Sequence, residues 1–178
     1  APLDPSRYSM EKQIADLEAL FNELNITKFT LLGYSMGGRI ALSYTMNYPK
    51  RVDSLILESS TPGLRTDLER IDRMAKDKLL SQRISSAGIH LFVDFWESIP
   101  LFHSQKKLSV EQQQNIRAER LSQYEVGLAG SLLGIGTGSQ PSNWIRLTEI
   151  HVPVLLIPGD IDMKFVNIAR EMKKKLHD

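Results

Sequence analysis

Apolar and polar positions change period several times along the chain, and each change marks an element. After Ser9, a candidate N-cap with Glu11 in the first turn, apolar residues recur at Ile14, Leu17, Leu20, Phe21 and Leu24. That spacing predicts a helix over 10–24. Phe29-Thr30-Leu31-Leu32 is a short apolar run stopped by Gly33, the pattern of a buried parallel strand. A second helix is predicted over 36–47, stopped by Pro49, with Ile40, Ala41 and Tyr44 on its buried face. Leu55-Ile56-Leu57 forms the centre of a second buried strand.

After Pro62-Gly63 the texture changes. Residues 64–138 show helical patterns and no strand pattern. A charged stretch over 65–86 has Ile71, Met74 and Leu79 on an inner stripe. An apolar stretch over 90–97 follows, then a polar helix over 110–123. A small, apolar stretch over 128–135 runs into the glycine-rich Gly134-Ile135-Gly136-Thr137-Gly138. A strand returns over 152–157, and a last amphipathic helix uses Phe165, Ile168, Ala169, Met172 and Leu176. Alternation of this kind predicts an α/β fold: a parallel sheet with helices on both faces. The helical insertion is expected to cover the carboxyl ends of the strands, where such sheets bind ligands. Three parts follow: a partial core over 1–63, a helical cap over 64–138, and a continuation of the core over 139–178.

Composition narrows the class little. The 178 residues are 42% hydrophobic and 24% charged, with a formal net charge of +1. No global field argues for nucleic acid or an anionic membrane, and neither is an expected partner. Without cysteine there is no disulfide, thiol nucleophile or thiolate metal site, which fits a reducing, cytoplasmic setting. Neither a metal nor a cofactor is expected. No apolar run approaches the ~18 residues of a membrane span. The opening Ala1-Pro2-Leu3-Asp4-Pro5-Ser6-Arg7 is polar and breaker-rich, unlike a signal peptide, and reads like the interior of a longer chain.

The chemistry centres on Gly33-Tyr34-Ser35-Met36-Gly37, placed where the first strand meets the second helix. A serine hydroxyl is a poor nucleophile and base at neutral pH, so it must be held out of the backbone and paired with a base. A sharp strand-to-helix turn does the holding, and small residues are expected two before and two after the serine, at Gly33 and Gly37. The pattern alone recurs by chance in roughly one chain in twenty of this length; its strand-to-helix context gives it weight. The helix behind Ser35 directs its N-terminal N–H groups at the site, and the Met36 N–H is an expected oxyanion donor.

In this fold the triad runs serine, acid, histidine. The last strand leads into Pro158-Gly159-Asp160-Ile161-Asp162. Asp162, at the far end of the loop, is the preferred acid, and Asp160 the alternative. Of the four histidines, His90 and His103 lie in the insertion, His151 opens a strand at its wrong end, and His177 sits in the final helix. The base is therefore expected outside these residues. Strands and the second oxyanion donor before Ala1 are expected to be missing too, which predicts low activity for the chain alone. It also predicts weak stability and self-association through an exposed sheet edge.

Longer stretches carry a more specific resemblance. Gly33-Tyr34-Ser35-Met36-Gly37-Gly38-Arg39-Ile40-Ala41-Leu42 and Leu57-Glu58-Ser59-Ser60-Thr61-Pro62-Gly63-Leu64 are two of them. Phe92-Val93-Asp94-Phe95-Trp96-Glu97, Pro100-Leu101-Phe102, Gly136-Thr137-Gly138-Ser139-Gln140-Pro141 and Gly159-Asp160-Ile161-Asp162-Met163-Lys164-Phe165 continue it. Together they resemble the 2-succinyl-6-hydroxy-2,4-cyclohexadiene-1-carboxylate (SHCHC) synthases of menaquinone biosynthesis, which have the α/β-hydrolase fold. These lyases eliminate pyruvate from 2-succinyl-5-enolpyruvyl-6-hydroxy-3-cyclohexene-1-carboxylate. The resemblance implies a histidine-activated Ser35 that removes a carbon-bound proton, with no acyl-enzyme. It also implies a small polycarboxylate substrate bound by Arg39, Arg73 and Arg120, a contact from Trp96, and a site position at Tyr34.

The residues support part of this by themselves. Arg39 lies four after Ser35, about one helical turn on. A guanidinium in a covered site needs an anion, and arginine grips carboxylates bidentately. The competing reading has Arg39 reaching solvent or pairing with Glu58. Arg73 and Arg120 sit on charged helices, where a solvated face is the default. Trp96, beside Phe92 and Phe95, also reads as core. The glycine-rich 134–138 loop lacks the Lys-Ser/Thr of a phosphate cradle.

Overall fold

The computed structural model describes residues 4–177, so the first three residues of the breaker-rich opening lie outside it. Helix α1 (Met10–Glu23) begins where Ser9 accepts a hydrogen bond from the Lys12 N–H. Strand β1 (Phe29–Tyr34) leads directly into helix α2 (Met36–Asn47), and strand β2 (Val52–Glu58) follows. Strand β3 (Val154–Ile157) completes a parallel sheet in the order β1-β2-β3. Register aligns Leu31, Leu55 and Val154 across the sheet, and Leu32, Ile56 and Leu155 one residue on.

Successive residues of a strand point to opposite faces, so these two rows mark the two sides of the sheet. The first row packs with Leu57 and Leu156 against Ala41 and Leu42 of α2, Trp144, Leu147 and Met172. The second row is open: Leu32 is 58% and Leu155 54% exposed. Helices therefore cover one face of the described sheet, where alternation predicts both. The strand order explains this. Right-handed crossovers that advance steadily in one direction place every connection on the same side. Helices reach the other side only where the strand order reverses.

Helix α2 is buried over most of its circumference. Leu42 and Tyr44 are fully inaccessible, while Ile40 is only partly covered. Its inner face is thus turned one step from the expected Ile40-Ala41-Tyr44 stripe, because it touches the sheet, α1 and the cap together.

The cap holds three helices: α3 (Asp67–Ser98), α4 (Val110–Leu121) and α5 (Glu125–Ile135). Thr66 and Glu69 form a reciprocal capping box at the start of α3, and Ser109 and Gln112 form another for α4. The two stretches expected over 65–86 and 90–97 join in α3, which kinks at Gly88 (φ 79°). The Ile89 N–H freed by the kink donates to Glu125 Oε1 at 2.8 Å. Ile84, Phe92, Val93 and Ala129 form a core of the cap's own. Helix α6 (Met163–Lys173) returns to the sheet and buries Met172.

Candidate active site

Ser35 is the single residue between β1 and α2, at φ 50° and ψ −110°. A non-glycine residue at positive φ stores on the order of 1–3 kcal/mol and persists only where its surroundings impose it. Here the backbone does so. The Ser35 N–H donates to Glu58 O at 2.8 Å, and its carbonyl accepts from the Arg39 N–H at 3.2 Å and Ser60 Oγ at 3.2 Å.

Gly33 allows the turn to close, since a Cβ there would lie 2.4 Å from the Gly37 carbonyl oxygen. Gly37 itself has open space where a Cβ would go. The second obligatory glycine is Gly38, whose Cβ would meet Ser60 at 2.5 Å and the Gly33 carbonyl at 2.8 Å. The close approach runs between the end of β1, the first turn of α2 and the loop after β2, and residue 37 points away from it.

Helix α2 has no side-chain cap, so the Met36 N–H stays available at its positive end. Among the described residues, Ser35 Oγ makes no hydrogen bond. His151 and His177 stack on each other with ring centroids 5.0 Å apart, and His177 Nε2 bonds Thr148 O at 2.9 Å. His90 and His103 are exposed on the cap.

Because the strands are parallel, the loop after β3 opens at the same end of the sheet as Ser35. Asp162 sits in it as the N-cap of α6, where its Oδ1 accepts from the Phe165 N–H at 3.2 Å. The Asp162 N–H closes the turn onto Gly159 O at 3.1 Å. Asp160 is exposed and accepts from the neighbouring Ile161 N–H. A carboxylate fixed by a helix N-terminus is the better oriented of the two.

Between the start of α2 and the cap lies a cavity of about 510 Å³, with Met36, Arg39, Arg73, Trp96 and Tyr124 in its wall. Arg39 is only 7% exposed. Its Nη1 donates to Ile135 O and Gln140 Oε1, both at 2.8 Å. Both acceptors are neutral, so Arg39 neither reaches solvent nor pairs with Glu58. Burial first, and then the nearby Arg73 cation, lower its pKa to about 10, with Asp77 opposing both. Arg73 Nε is held by Asp77 Oδ1 at 2.8 Å. Trp96 stacks on Phe92 (5.5 Å, 26°) and still lines the cavity, so it serves packing and site together.

Two expected residues are not gathered here. Tyr34 is 62% exposed and shares its register row with Glu58 and Ile157, on the open side of the sheet. Arg120 lies in a different groove, tied to Glu97 Oε1 (3.2 Å) and Gln105 Oε1 (2.9 Å). Its guanidinium stands over the Phe102 ring. Glu97, at the C-terminal end of α3, supplies a nearer anion. Asp77, Gln140 and Tyr124 join the site without having been singled out. Asp77 is legible as the residue four after Arg73 on a helix, and Gln140 only as part of the Gly136-Thr137-Gly138-Ser139-Gln140-Pro141 stretch.

The model of the family described as the alpha/beta hydrolase fold matches residues 1–176. A putative SHCHC synthase from Bacillus subtilis is 51% identical over 176 residues, covering 99% of this chain and 64% of the relative. An SHCHC synthase from Salmonella heidelberg is 29% identical, covering 90% of this chain and 63% of the relative. The solved structure of MenH from S. aureus superposes with a TM-score of 0.89 at 40% identity, covering 94% of this chain and 63% of that one. The chain thus spans a little under two thirds of the length of the relatives it matches.

Proposed function

From the premise that the chain belongs to the α/β-hydrolase fold family, we propose that it is the nucleophile-elbow part of a cytoplasmic SHCHC synthase. In this reading Ser35, deprotonated by a histidine, takes a carbon-bound proton from the cyclohexene substrate. The electron pair released forms the second ring double bond. The ring carbon–oxygen bond to the enolpyruvyl group breaks, and the departing enolate picks up a proton to become pyruvate. Asp162 would orient the histidine, and the Met36 N–H would stabilise developing negative charge.

One observation carries the reading: buried Arg39 and part-exposed Arg73 line one cavity, and Asp77, bonded to Arg73, is the one carboxylate set against their two charges among the described residues. A simple ester would leave that positive charge unanswered, and an uncompensated buried charge is costly. A substrate carboxylate answers it, and the ring would lie against Trp96 and Tyr124. Arg39 and Arg73 are the substrate arginines of this proposal; Arg120 and Tyr34 lie outside the cavity wall. None of the four histidines bonds Ser35, so turnover by these 178 residues alone is expected to be low. The edge strand β1, with the open face at Leu32 and Leu155, favours self-association, which sedimentation would detect.

A thermal-shift titration tests the reading. The probe is 4-(2-carboxyphenyl)-4-oxobutanoate, a succinyl-bearing aromatic analogue of the product. At a hundred times its Kd it should stabilise the fold by about 2.7 kcal/mol, a rise of roughly 5–10 °C in Tm. A rise of that size with a neutral aryl ester, and none with the dicarboxylate, would contradict the reading and favour an ester substrate.

A further inference from the structure

Asp77 is 4% exposed and has no acid–base work in the elimination. Its Oδ1 accepts from Arg73 Nε, while its Oδ2 is buried without a hydrogen-bond partner. A lone buried carboxylate oxygen is costly and persists where something else depends on it. The backbone beside it shows what does. A Cβ on Gly136 would lie 2.3 Å from the Leu132 carbonyl oxygen and 2.6 Å from Asp77 Oδ2, so only glycine fits between the helix and the carboxylate. The preceding carbonyl, Ile135 O, is one of the two anchors of Arg39.

The anchoring leaves matching edges open. Arg73 is held through Nε, so its terminal Nη1–Nη2 edge has no partner among the described residues. Arg39 is held through Nη1, so its Nε–Nη2 edge is the one left over. Each guanidinium keeps one two-pronged edge, the geometry that grips a carboxylate. Two cations against one carboxylate leave a net charge of +1, enough for a single anionic group.

We infer that Asp77 is a positioning residue of a two-arginine carboxylate clamp, fixing Arg73 through Nε so that its outer edge faces the ligand beside Arg39. The inference rests on the reading that Arg39 and Arg73 bind a substrate carboxylate. It predicts that the acceptor at residue 77 matters more than its charge.

The test compares Asp77→Asn with Asp77→Leu. Both remove the charge and keep the branched shape of the side chain, leucine being the bulkier, but only asparagine keeps an oxygen for Arg73 Nε. Affinity for 4-(2-carboxyphenyl)-4-oxobutanoate is read from the fluorescence of Trp96 in the cavity wall, with Asp77→Ala replacing Asp77→Leu if circular dichroism shows the leucine variant unfolded. The expected result is Asn within about threefold of wild type and Leu at least tenfold weaker than Asn. The Asn–Leu difference should vanish in an Arg73→Ala background, which a purely structural role would not produce. Equal affinities for Asn and Leu, or a difference that survives Arg73→Ala, would overturn the inference while leaving the carboxylate reading intact. No saturable binding by wild type would overturn both.

Discussion

The elbow and the cap position their functional side chains by different means. At the elbow the backbone decides: one positive-φ residue, Ser35, is hemmed in by Gly33, Gly38 and the carbonyl of Glu58, and the Ser60 hydroxyl is the one side chain that bonds it among the described residues. In the cap Arg73 and Arg120 are each placed by the acid they meet. Arg73 meets Asp77 and faces the cavity, whereas Arg120 meets Glu97 and faces a separate groove. A motif bound to backbone geometry transfers from sequence to site directly. A charge on a long helix does so only when its counter-charge is also identified.

Four substitutions sharpen this contrast. Arg39→Ala removes the most buried cation of the cavity and should cost about 2–5 kcal/mol in carboxylate affinity, at least ~30-fold in Kd by calorimetry. Wild-type affinity carries a matching pH dependence. A bound anion favours charged Arg39, so binding is full below its pKa of about 10 and weakens as pH rises through it. Affinity independent of pH up to 11 would separate Arg39 from the ligand. Gly33→Ala forces a Cβ into the Gly37 backbone and should lower unfolding stability by about 1–3 kcal/mol, or more, in urea melts. Arg120→Ala breaks a part-buried ion pair in a separate groove, away from the cavity, so ligand affinity should move by less than about 1 kcal/mol. A loss as large as that of Arg39→Ala would return Arg120 to the site. Gly37→Ala meets nothing and replaces glycine inside a helix, so stability should hold or rise by up to ~1 kcal/mol. Destabilisation there would restore the expectation that residue 37 must be small.

The legible parts of the molecule follow the same division. Strand-turn-helix order, the run into Gly33 and the stop at Pro49 are local signals, and β1, α2 and β2 form where those signals lie. Coverage of one sheet face instead of two depends on strand order, which no local period encodes. The union of two cap stretches into one kinked helix depends on Glu125 satisfying a distant N–H. Arg39 was recognisable from its spacing to Ser35, but its anchors at Ile135 and Gln140 lie about a hundred residues away. Tyr34 was adjacent to the serine in sequence, yet strand alternation turns it to the opposite side.

The central claim is that the cavity beside Ser35 is selective for carboxylates because Arg39 and Arg73 line it. Calorimetric titration of 4-(2-carboxyphenyl)-4-oxobutanoate against its dimethyl ester tests this most directly, since the two differ only in charge and two methyl groups. The dicarboxylate should bind at least ~30-fold more tightly, and Arg39→Ala should erase most of the difference. Equal affinity for acid and ester, unchanged by Arg39→Ala, would contradict the claim.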